Sequence, residues 1–153
     1  MTDSSPPTRP PAVRLWVDLD RVYTVLSRRV TARMADFDLT TPQFRVLRQL
    51  SGQPRSPGDV AERIGVTPGN LTGIIDRLEH DGLVRRERGE EDRRSLTLHL
   101  TPAGEEVLGR VVPQMHAHLQ GLFSALSPDE ITQTLSVLDK LERHLNAKEA
   151  VNA

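Results

Sequence analysis

Beyond the proline-rich first eleven residues, five Ser/Thr-Pro steps punctuate this chain, and they limit where its helices can begin: Thr41-Pro42, Ser56-Pro57, Thr67-Pro68, Thr101-Pro102 and Ser127-Pro128. A Ser or Thr hydroxyl at an N-cap accepts a hydrogen bond from a free N–H of the first turn. Proline suits the next position because its missing N–H has no helical partner there. The same dipeptide also makes ordinary turns, so the apolar spacing behind each step decides. Ser127 has the fullest signature: Glu130 completes a capping box, and Leu126 and Ile131 hold the staple positions.

Ahead of the first step, Leu15, Leu19, Val22, Leu26, Val30 and Met34 recur every three or four residues, with Trp16, Tyr23 and Phe37 beside them. That spacing predicts a long amphipathic helix over about 12–37. Phe44, Val46, Leu47 and Leu50 predict a short helix from Pro42, ending at Gly52. Val60, Ala61 and Ile64 predict another, stopped by Gly65. From Pro68, Leu71, Ile74, Ile75 and Leu78 line one face, with Gly82 placed as the C-terminal cap. The period then changes. Residues 83–87 are a short run between turn-formers, and Leu96, Leu98 and Leu100 alternate with Thr97 and His99, as in a half-buried strand. A polar loop over 88–95 joins them into a β-hairpin with a long charged tip. Two helices follow, one from Pro102 to about Phe123 with a kink expected at Pro113, and one carrying Ile131, Leu135, Leu138, Leu141 and Leu145.

The expected fold is mainly α with a small two- or three-stranded β-wing, in a single domain over about 12–147. Residues 1–11, with prolines at 6, 7, 10 and 11, and residues 148–153 read as tails. No stretch is a signal peptide or long enough in apolar residues to span a bilayer, so a soluble cytoplasmic protein is expected. The chain has no cysteine, which excludes disulfides, thiol switches, thiolate zinc sites and cysteine nucleophiles. Of five histidines only His116 and His118 are close, and two residues apart on a helix they face different ways. No metal or cofactor is expected. Glu90, Glu91 and Asp92 lie together, but a wing tip holds a cation poorly. With no nucleophile elbow, phosphate loop or dinucleotide fingerprint, an enzyme is not expected.

The helix over 57–64, the turn at Gly65-Val66-Thr67 and the helix from 68 to about 81 have the spacing of a helix-turn-helix. In DNA-binding versions the start of the second helix reaches base edges. The residues there, Thr67, Pro68, Gly69, Asn70, Thr72 and Gly73, are small or hydrogen-bonding, and Ser56 caps the helix before. Asn70 suits adenine, and Arg77 follows on the polar side. Residues 55–84 nevertheless hold three arginines against five acids, and the whole chain carries a net charge of −1. Positive charge is concentrated instead in the hairpin, where Arg85, Arg86, Arg88, Arg93 and Arg94 fall within ten residues, interleaved with four acids. A hairpin after a helix-turn-helix can put arginine into the minor groove, and Asp92 is placed to orient a neighbouring guanidinium.

The runs Ile75-Asp76-Arg77-Leu78-Glu79, Gly82-Leu83-Val84-Arg85-Arg86, Asp92-Arg93-Arg94-Ser95 and Leu100-Thr101-Pro102-Ala103-Gly104 resemble the MarR family of winged helix-turn-helix regulators. The helix order is similar from about Ala12 to Ala147. The resemblance implies a homodimer joined by the first helix (about 12–37) and the last two (about 102–147), flanking a DNA-reading part over about 40–101. It implies a sequence-specific regulator, such as a repressor, on a pseudo-palindromic operator in double-stranded DNA. Arg94 would enter the minor groove, and a small aromatic or anionic effector would release the DNA. The thiol-switched branch is excluded by the missing cysteine.

Leu15 and Leu19 in the first helix and Leu135, Leu138, Leu141 and Leu145 in the last are the expected dimer interface, since exposed together they would form a large apolar patch. The resemblance implies an effector pocket between the first, second and fifth helices, for which Trp16, Tyr23 and Arg45 are candidates; the plainer reading puts the two aromatics in a dimer core and Arg45 on the surface. A second reading, a winged-helix protein-interaction module without DNA binding, follows from the near-neutral charge. Salt dependence separates the two, because phosphate contacts release counterions.

Overall fold

The capping chemistry of the Ser/Thr-Pro steps organises the protein, whose computed structural model describes residues 10–88 and 96–152. Helix α1 spans Pro11–Ala35, α2 Thr41–Leu50, α3 Pro57–Ile64 and α4 Pro68–His80; strands β1 (Val84–Arg88) and β2 (Leu96–Leu100) follow, then α5 (Pro102–Leu122) and α6 (Pro128–Asn152). Ser56 and Thr67 cap α3 and α4, their hydroxyls accepting from Asp59 N (3.1 Å) and Asn70 N (3.4 Å). Thr101 does the same for α5 through Gly104 N (3.1 Å). Ser127 and Glu130 form the expected capping box. Its bond to Ser127 holds the Glu130 carboxyl below the usual carboxylate range.

The first step differs. The cap of α2 is Thr40, which accepts from Gln43 N (3.3 Å) while the Gln43 side chain accepts from Thr40 N (2.8 Å). Two reciprocal bonds outweigh the single one that Thr41 would make, so Thr41 becomes helical and Pro42 sits one place further in. Helix α5 runs continuously through Pro113. Helix α6 continues to Asn152, past the expected end of the domain near 147.

Two compact units make up the chain, one ending at Met115 and the other starting at His116. All buried apolar residues among those described lie in the first: Met34 of α1; Val46, Leu47 and Leu50 of α2; Val60 and Ile64 of α3; Leu71, Ile75 and Leu78 of α4; Val84 and Leu98 of the hairpin; Leu108, Val111 and Met115 of α5 are its main members. Full burial of one such side chain contributes about 1.5–3 kcal/mol. The aliphatic periodicity of α2 to α4 is therefore the force that folds this unit. Beyond Met115, no residue of α6 up to 147 is buried.

β1 and β2 pair antiparallel with Val84 opposite Leu100, Arg86 opposite Leu98 and Arg88 opposite Leu96. Among the described residues a third strand is present only as one bridge, in which Arg55 exchanges backbone bonds with Leu98 (3.1 and 2.8 Å). The hairpin is set against the end of α4 by two glycines. Gly82 has φ +71°, the left-handed region open to glycine, and turns the chain out of α4. Gly104 lies so close to the Leu83 carbonyl oxygen and the Leu100 side chain that a Cβ would overlap both. Among the described residues no helix is long and apolar enough to cross a membrane.

Candidate nucleic-acid interface

The turn between α3 and α4 follows from Gly65, whose φ of +68° ends α3 and lets Val66 N–H bond back to the Ala61 carbonyl (3.1 Å). Ile64 and Leu71 are buried on either side of it, which fixes the two helices by their apolar faces. The opposite face of the α4 start is exposed: Thr67, Pro68, Gly69, Asn70 and Thr72 all lie in solvent, and Gly73 is half-buried. Arg77 is exposed further along, and Ser56 is exposed at the start of α3.

The capping bonds define what these groups can still offer. Ser56 and Thr67 use their hydroxyl oxygens as acceptors within the fold, so each hydroxyl proton is free to donate outward. Thr72 is the reverse: its hydroxyl donates to the Pro68 carbonyl (3.0 Å), leaving a lone pair and a methyl to face a partner. Free N–H groups at the start of α4 add the positive end of its dipole, which favours a phosphate. The surface thus combines outward donors, a small-residue gap at Gly69 and Gly73, and one exposed guanidinium at Arg77.

The hairpin arginines divide sharply. Arg85 pairs with Glu87 and stays exposed; Glu87 also lies 3.3 Å from His99 Nε2. The bond from Arg85 and its charge, with His99 adding, hold the Glu87 carboxyl below its ordinary range. Arg88 is exposed. Arg86, expected among the DNA-contacting arginines, is instead half-buried and tied to α4, its guanidinium donating to Asp76 Oδ1 (2.5 Å) and Glu79 Oε2 (2.5 Å). Its backbone N–H donates to the other Glu79 oxygen (3.1 Å). Partial desolvation works against the charge, but the two carboxylates outweigh it and hold the guanidinium pKa above its usual value. Asp92, Arg93 and Arg94 lie outside the described residues.

Arg55 is a residue that sequence reasoning missed. Its Nε donates to the Gln49 carbonyl (2.6 Å) and its guanidinium to Asp59 (2.9 Å), while its backbone pairs with β2. It therefore joins the end of α2, the start of α3 and the hairpin. Asp59 also accepts from Arg63 (2.7 Å), and the bonds from Arg63 and then Arg55 hold its carboxyl below the ordinary value. The signal was an arginine one position before a Ser-Pro step with an acid four residues on.

Trp16 and Tyr23 on α1 are each 70% exposed, and Arg45 on α2 is exposed too. A cleft of about 570 Å³ in the first unit is lined instead by Arg48 and Ser51 of α2, Leu100, and Glu105, Leu108 and Val112 of α5. Leu15 and Leu19 on α1, and Leu135, Leu138, Leu141 and Leu145 on α6, are all exposed in the single chain.

A model of the MarR family matches residues 37–95. Over 136 residues the chain is 33% identical to YfiV, an uncharacterized HTH-type transcriptional regulator of Bacillus subtilis, covering 88% of this chain and 85% of that one. A mutant of MarR from E. coli, solved in complex with operator DNA, has a TM-score of 0.77 and 25% identity over 85% of this chain and 94% of its own. BpsR of Bordetella bronchiseptica, whose DNA binding is regulated by 6-hydroxynicotinic acid, has a TM-score of 0.77 and 27% identity over 84% of this chain and 98% of its own.

Proposed function

The chain belongs to the MarR family of DNA-binding transcription regulators, and from that premise we propose that it is a homodimeric repressor of a pseudo-palindromic operator, released by a small aromatic acid. Its relatives are regulators and not enzymes. The observation that carries the dimer is α6, which buries no residue up to 147 while Leu135, Leu138 and Leu145 are 55%, 43% and 53% exposed. An apolar face of that length finds a partner, and a second copy presents the same face by two-fold symmetry. α1, with Leu15 and Leu19 exposed, supplies the rest of the interface.

Each protomer then brings one α4 to the major groove, with the surface from Thr67 to Gly73 toward base edges and Ser56 and Arg77 toward phosphates. The wing follows into the minor groove with Arg88, Arg93 and Arg94, and Asp92 orienting a guanidinium. The protein acts where the chromosome lies, in the cytoplasm. The regulation of BpsR by 6-hydroxynicotinic acid supports an aromatic acid as effector. So do Arg45 on the exposed side of α2 and the aromatics Trp16 and Tyr23 on α1.

Selection of bound duplexes from a random pool tests this reading. The expected consensus is an inverted repeat with half-sites about 10 bp apart or a multiple of that, bound with an affinity that falls steeply as salt rises. An asymmetric single site would overturn the dimer; flat salt dependence or no enrichment would leave the protein-interaction reading in its place. A thermal-shift screen with aromatic acids on the same protein addresses the effector.

A further inference from the structure

We propose that Arg86 is a positioning residue for DNA binding, clamping the first strand of the wing to the recognition helix without touching DNA; this rests on the regulator reading above. The first reason is register. Arg86 stands opposite Leu98, which is fully buried, and two residues from Val84, which is 2% exposed. Side chains two apart on a strand share a face, so Arg86 starts on the core side of the hairpin and its neighbours Arg85 and Glu87 on the other.

The second reason is saturation by carboxylates. Asp76 and Glu79, three residues apart, share a face of α4 and each accepts a guanidinium hydrogen at 2.5 Å. Glu79 closes a further bond to the Arg86 backbone N–H, so one carboxylate grips both the side chain and the strand. Only the planar fork of arginine spans two carboxylates in this way; a lysine ammonium is a point charge on a flexible stem. One cation against two anions also leaves the cluster net negative, which repels a phosphate.

The third reason is leverage. Only three residues, Asp81, Gly82 and Leu83, separate α4 from β1. With so short a turn the angle between hairpin and helix is set at the hairpin's base, and a small change there becomes a large one further along the strands. The clamp fixes that angle, and therefore where the wing arginines meet DNA when α4 is in its groove.

The test uses the full-length protein and a duplex that the wild type has recovered from a random pool, with Arg86→Gln, Arg86→Lys, Glu79→Gln and the Glu79→Gln/Arg86→Gln double variant. Affinity across a salt series and a hydroxyl-radical footprint are measured for each. We expect each single variant to lose roughly tenfold in affinity and the double variant no more than either, since coupled residues are non-additive. Protection should disappear from the flanking minor grooves while the major-groove half-sites remain, and the salt slope should fall by the same amount in Arg86→Gln, Arg86→Lys and Glu79→Gln, because the same wing contacts are lost in each. If Arg86 were a phosphate ligand, Glu79→Gln would free it and strengthen binding, Arg86→Lys would keep most of the affinity, and Arg86→Gln alone would lower the salt slope, by about one; that result overturns the proposal. Unchanged affinity in all variants, or a footprint that fades evenly with a falling thermal midpoint, overturns it as well. Should Arg86→Gln not fold, Glu79→Gln still decides, because its two expected effects have opposite signs. A wild type that binds no duplex removes the regulator reading itself, an outcome distinct from a binding wild type with indifferent variants.

Discussion

The hydroxyl of Thr101 donates to the carbonyl of Gly82 at 2.7 Å while its oxygen accepts the N–H of Gly104 at 3.1 Å. One side chain thus caps α5 and ties it to the turn that launches the wing. Thr101→Ala should lower the stability of the fold by about 1–2 kcal/mol, the worth of a cap and its attached bond. Thr101→Ser should recover most of that loss. Urea denaturation checks both, and equal losses in the two variants would refute the hydroxyl's role.

Acid should loosen the start of α3. The folded pKa of Asp59 lies below its ordinary 3.8, through its bonds from Arg63 and Arg55. A carboxyl lowered on folding contributes stability that is present above its unfolded pKa and is lost as pH falls through the folded one. Urea midpoints followed from about pH 6 down to about pH 2 should therefore fall less in Asp59→Asn than in the wild type. Parallel curves would show that the pair adds nothing.

Leu138 is 43% exposed in the single chain, on the helix face that the proposed dimer would bury. Leu138→Asp should produce a monomer by light scattering, because a charge in that interface has no partner. Operator affinity should drop by roughly a hundredfold as two linked half-sites become one. A monomeric variant with normal affinity would separate dimerisation from DNA binding.

The family resemblance implies a minor-groove contact for Arg94, and the proposed function depends on it. Arg94→Ala should weaken operator binding by about 1–3 kcal/mol and leave the dimer intact. Unchanged affinity would remove the wing tip from recognition.

Much of this was legible in the chain because capping is local chemistry. Ser56, Thr67, Thr101 and Ser127 each cap the helix that follows. Where the reading slipped at α2, a stronger local signal was present: Thr40 with Gln43 three residues on is itself a capping box, and the proline next to Thr41 drew attention from it. Arg86 was grouped with its neighbours by charge, although the two-residue period from buried Val84 already placed it inward. Its partners could not be read, since Asp76 and Glu79 come near only once Gly82 has turned the chain. The cleft at Arg48 was equally hidden, being assembled from α2, β2 and α5.

Helix α6 gives no residue up to 147 to the interior of its own chain. In the dimer we propose, substitutions along its apolar face would be judged by the companion molecule and not by the core that holds α4. Which copies associate and which sequences are read would then be written on different residues, and a duplicated gene could change its choice of mate without relearning its operator.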